Sequence, residues 1–141
     1  MVSLTFKSGC GLSDKNKSII SDFLPFACNR IGIKNNFIVD IMPSDTKGTI
    51  SNIKDDLKKA VFIPHMRKME IYVKNRHILD ILVSIAHEMV HLKQIENGAD
   101  VGKGHIPYDI PKDHKGYDIE YEAYGLSGII VRAYRGLMNE E

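Results

Sequence analysis

Val83-Ser84-Ile85-Ala86-His87-Glu88-Met89-Val90-His91-Leu92 places two histidines four residues apart inside an otherwise apolar run. The run extends from Ile78 to Ile95 and is apolar nearly all round, the pattern of a helix buried between layers. On a helix, positions i and i+4 stand one above the other on one face. His87 and His91 can therefore bind one divalent cation without moving the backbone. Glu88 lies about 100° further round the helix. From there its carboxylate reaches a water beside the cation without being a ligand. This H-E-x-x-H layout is that of a zinc hydrolase, with Glu88 as general base. The plain alternative is an ordinary helix whose two histidines pair with surface carboxylates. Burial argues against it, because a desolvated His-Glu-His cluster needs partners. Asn75 as N-cap and Gly98 as C′ residue would bound the helix at about 76–97.

Upstream, Val2–Lys7 alternates weakly and suits an edge strand. Ser13 or Asp14 can cap a helix to about Arg30, with Ile19, Ile20, Phe23, Leu24, Ala27 and Ile31 on one side. Pro25 is expected to kink that helix or end its first half. Asn36–Met42 is a strand closed by Pro43, and Ala60–Ile63 is another. Lys68–Lys74 alternates with period 2, Met69, Ile71 and Val73 against Glu70, Tyr72 and Lys74. Segment 44–59 could hold a short strand over Thr49–Ile53 or a helical turn over Ile53–Ala60. Downstream, 98–117 is rich in Gly, Pro, Lys and Asp, and a last helix runs over about 118–138. The fold expected is α+β: a small twisted sheet packed on the buried H-E-x-x-H helix, with the C-terminal helix completing the site. Residues 1–141 read as one domain.

The 141 residues suit one core, and the 43% hydrophobic and 26% charged fractions are ordinary for a globular protein. A net charge of +1 gives no global pull toward nucleic acid or acidic membrane. No apolar stretch is long and uncharged enough to span a bilayer, since the motif helix carries Asp80, His87, Glu88 and His91. The N-terminal residues lack a secretory pattern, so a cytoplasmic location with Cys10 and Cys28 as free thiols is the expectation. The two cysteines lack the C-x-x-C spacing of a zinc site.

A catalytic zinc site usually has three protein ligands plus water. Gln94 and Asn97 stand where a metzincin would have Gly and His, which excludes that arrangement. The remaining candidates are a carboxylate of the last helix, Glu120 or Glu122, or a loop histidine, His105 or His114. Relative to an apolar centre at Ile119, Ala123, Leu126 and Ile130, the two glutamates flank opposite sides at comparable angles. Periodicity does not choose between them. His105, His114, Tyr108 and Tyr117 are candidates for stabilising an oxyanion. His65 and His77 are expected at the surface or in a cap.

His87-Glu88-x-x-His91 followed on a second helix by Glu120-x-x-Ala123 resembles the gluzincin-type metallopeptidases. Within that group it resembles the small ImmA/IrrE-like peptidases and the short H-E-x-x-H proteins common in bacteriophage genomes. The resemblance covers about 71–134. It implies Glu120 as third ligand and Ala123 as the small residue that follows it. Tyr124 stands where the family has Asn or Asp, which leaves the outer contact to a zinc histidine open. A zinc-dependent metallopeptidase with a peptide or protein substrate is the function implied, with one Zn²⁺ per chain. Two alternatives are a non-catalytic zinc-containing binding module and a SprT-like protease acting on DNA-bound protein. His114-Lys115-Gly116-Tyr117 resembles the SprT pattern only loosely, and the near-neutral charge argues against a nucleic-acid partner.

Overall fold

In the computed structural model, residues 2–43, 60–98 and 117–139 are described. Strand β1 (Val2–Phe6) leads to helix α1 (Asp14–Ile31), and strand β2 (Phe37–Met42) follows. Strand β3 (Ala60–Ile63), a single 3-10 turn (Pro64–Met66) and strand β4 (Lys68–Tyr72) precede helix α2 (Ile78–Glu96). Helix α3 (Tyr117–Asn139) closes the described chain. The architecture is α+β, with three helices and a four-stranded mixed sheet among the described residues. Segment 44–59 lies outside the described residues, and so do the short strand and helical turn considered for it.

Local signals account for most element ends. Ser13 caps α1, its hydroxyl accepting from Asn16 N at 3.0 Å. Gly32, at φ 85°, ends α1 in the left-handed conformation that glycine adopts without steric cost. Pro25 neither ends α1 nor divides it, since the helix is continuous from Asp14 to Ile31. The start of α2 differs from expectation. Asn75 has φ 58° and belongs to a turn after β4, so the helix begins later and His77 is the N-cap. His77 Nδ1 accepts from Leu79 N at 3.0 Å. Gly98, at φ 91°, sits just past the helix end and donates to Ile95 O.

The strand order is β1-β2-β4-β3. β1 pairs with β2 and β2 with β4 in parallel, while β3 and β4 are antiparallel. Among the described strands β1 is therefore at an edge, in line with its weak alternation. β4 is interior, with β2 on one side and β3 on the other. Its alternation is as expected: Met69, Ile71 and Val73 are buried and face the helices. The register sets Val39 beside Met69, and Met69 beside Phe62.

One apolar core joins this sheet face to Ile20, Phe23, Leu24 and Ala27 of α1. Helix α2 supplies Ile81, Leu82, Ile85, Ala86, Met89 and Leu92 to the same core. α2 packs on the sheet, on α1 and most extensively on α3. That explains a helix apolar nearly all round, because its several sides meet protein. No described helix is long and apolar enough to cross a membrane. Cys10 and Cys28 are unbridged and half-buried.

Candidate metal centre

His87, His91 and Gln94 of α2 reach residues of α3. His87, Glu88, His91 and Gln94 are all buried, each with under a tenth of its surface exposed. Across the seam, α3 buries Glu120, Ala123, Ser127, Ile130 and Val131. The spacing i, i+3, i+7, i+10 is one helical stripe, and Glu120 belongs to it. Ala123 and Ser127 are fully buried and small, so α3 can approach α2 closely. Leu126, taken as part of the apolar centre in sequence, is 37% exposed, and Ser127 replaces it. That rotation of the stripe separates the two glutamates. Glu120 is turned inward at 5% exposure, while Glu122 is exposed.

Three ligand-type atoms converge. His87 Nε2 lies 3.1 Å from Glu120 Oε1, His91 Nε2 lies 3.2 Å from the same oxygen, and the two Nε2 atoms are 3.2 Å apart. A tetrahedral ion bound at about 2.0–2.2 Å spaces its ligand atoms about 3.3 Å apart. The observed triangle matches that spacing, so the buried His-His-Glu group could hold a metal ion. The three candidate ligands His87, His91 and Glu120 are thus brought together. His105, His114 and Tyr108 lie outside the described residues, and Tyr117 opens α3.

The ring of contacts around the triangle is asymmetric. His91 Nδ1 is 2.8 Å from Gln94 Oε1. Gln94 Nε2 donates to Ile119 O at 3.0 Å and to Glu122 Oε1 at 2.6 Å. Both amide hydrogens are thus committed, which fixes the amide orientation and leaves Oε1 as acceptor. His91 therefore carries a hydrogen on Nδ1 and presents Nε2 to the triangle. In the sequence Gln94 signals only the absence of a metzincin arrangement; its contacts with His91 and α3 are tertiary. Glu122, the rival ligand, acts at one remove through Gln94. Around His87 the pattern differs. Tyr124 packs its ring on the imidazole at a centroid distance of 4.2 Å. His87 Nδ1 is buried without a hydrogen-bond partner among the described residues.

Electrostatics follow from the crowding of acids and imidazoles. Burial raises the Glu88 carboxyl above its ordinary value, the charges of His87 and His91 oppose the rise, and Glu120 adds to it. Burial also pushes Glu120 upward, but hydrogen bonds from His87 and His91 outweigh it and hold that carboxyl at about 2. For His91, burial favours the neutral ring, yet the hydrogen bond to Glu120 and the charge of Glu88 prevail and raise its pKa. Without a cation, the cluster holds protons where a metal would sit.

No protein-family model, curated protein or solved structure matches this chain.

Proposed function

We propose that this chain is a zinc-dependent metallopeptidase of the minimal H-E-x-x-H type, with His87, His91 and Glu120 holding Zn²⁺ and Glu88 as the general base. The observation that carries the reading is the buried triangle of His87 Nε2, His91 Nε2 and Glu120 Oε1, with edges of 3.1–3.2 Å. Two imidazoles and one carboxylate are a donor set typical of catalytic zinc. Zinc held there would act as a Lewis acid, lowering the pKa of water and polarising a substrate carbonyl.

The chain's own residues would do the rest. Glu88 stands beside both histidines on α2, and burial raises its proton affinity. A carboxyl so tuned can take a proton from the attacking water and return it to the leaving amine nitrogen. A module using zinc only for structure has no need of that carboxylate. Gln94 keeps His91 oriented, and α3 holds Glu120 against both rings. An extended peptide could pair with β3, which has one neighbour among the described strands and packs against α2.

Elemental analysis of purified protein tests the reading. The wild type should carry about one zinc per chain, and His91→Ala none. Glu120→Gln should bind weakly, while Glu122→Gln should stay near wild type. A wild type that takes up no zinc when it is supplied would end the peptidase reading. Weak binding by Glu122→Gln with intact Glu120→Gln would reassign the third ligand.

A further inference from the structure

Helix α3 has a second face, opposite the stripe that closes the metal centre. Glu122, Gly125, Ile129, Arg132 and Gly136 are all exposed. At 100° per residue they fall within a sector of about 80°. Two properties of this face have no explanation in the packing of the described residues. A Cβ built on Gly125, Gly128 or Gly136 would meet nothing within 4 Å, and none of the three has a positive φ. Neither space nor backbone geometry calls for glycine there, and glycine weakens a helix interior. Ile129 is also 65% exposed in the middle of the face, with Tyr121 at 69% on its flank.

The order of residues along the face is symmetric about Ser127. Gly125 and Ile129 stand two residues either side of it, and Glu122 and Arg132 stand five either side. Such a face is complementary to itself when turned end for end. We propose that a second copy of this chain docks antiparallel on α3, with the two-fold axis at the level of Ser127. Glu122 then faces the partner's Arg132, and Ile129 packs into the notch over the partner's Gly125, each contact occurring twice. This is an isologous interface, in which one patch serves both sides. Glycines let the two backbones approach, and the charge pairs at the rim set the direction. A parallel pairing would instead set Glu122 against Glu122 and Arg132 against Arg132. One helix pair buries little area, so the association belongs in the micromolar range. The dimer would also touch the metal centre at one remove, because Glu122 accepts from Gln94. The inference does not depend on the peptidase reading.

Sedimentation velocity on the full chain, from low to several hundred micromolar, tests it. Wild type should show a reversible monomer–dimer equilibrium. Arg132→Glu should weaken it at least about tenfold, and adding Glu122→Arg to that variant should restore it. Gly125→Leu should abolish it while circular dichroism and thermal melting report a folded monomer, since the new side chain enters open space. A monomer at every concentration overturns the proposal. So does a dimer indifferent to Arg132→Glu and Gly125→Leu, or a double swap no tighter than the single change.

Discussion

Two polar clusters of helix α2 stand five residues apart, at His91 and at Glu96, and they are built on opposite rules. At the C-terminal end, Glu96 accepts from Arg67 Nη2 at 2.6 Å and from the backbone N–H groups of Lys34 and Asn35. Arg67 also donates to Asn36 O at 2.6 Å, from a left-handed backbone at φ 49°. One anion meets one cation and several N–H donors, so the cluster is balanced and ties α2 to the chain entering β2. Around His87 and His91 the groups are two imidazoles and the buried carboxylates of Glu88 and Glu120. Three atoms able to ligate a metal face one another, and His87 Nδ1 has no partner among the described residues. The balanced cluster serves the fold. The unbalanced one has a place for a cation, and a buried polar group left short of partners is costly unless something supplies them.

The sharpest way to break this contrast is Glu88→Gln. Hydrolysis of a peptide library should fall by about 10²–10⁴-fold while zinc content and melting temperature stay unchanged. A variant that loses its metal along with activity would make Glu88 a structural member of the cluster instead. Next in size is Gln94→Leu. Chelator competition should show zinc binding about 10–100-fold weaker, because His91 loses the contact that orients its ring. Unchanged affinity would mean that helix packing alone holds the imidazole.

Glu96→Gln should move the other way, lowering stability by about 2 kcal/mol at neutral pH and leaving zinc affinity intact. Loss of zinc in that variant would show that the clusters are coupled along α2. Its pH dependence has a definite sign. Burial raises the Glu96 carboxyl, but the Arg67 hydrogen bond and the Lys34 and Asn35 amides lower it further, to a net value below the ordinary 4.5. A depressed carboxyl contributes fully above 4.5 and loses its contribution as pH falls through the folded value. The stability gap between wild type and Glu96→Gln, followed by urea unfolding, should therefore narrow in acid. A gap that widens on acidification would contradict the assignment.

How far each part of the molecule could be read in advance follows the range of the interaction involved. His87, Glu88 and His91 are set by helical spacing alone, so one apolar run discloses them. Ser13 as a cap and the inward row of Met69, Ile71 and Val73 are equally local. The start of α2 was misplaced because Asn75 suits both a cap and a left-handed turn, and the structure uses it for the turn. β4 reads as a strand in any setting, but its place inside the sheet depends on which strands flank it.

The amino-acid sequence by itself determined the α+β alternation, the helix that carries the histidine pair, and the acid beside that pair. Those features need only a repeat of 2 or 3.6 residues and the chemistry of neighbouring side chains. The tertiary structure alone decided that Glu120 points inward and Glu122 outward, and that Gln94 joins His91 to α3. Both depend on the rotation of α3 against α2, which Ala123 and Ser127 permit by being small and Val131 completes by being buried. Turned a little the other way, the same residues would bury Leu126 and present Glu122. Shape at the helix contact makes that choice, and no pattern within either helix contains it.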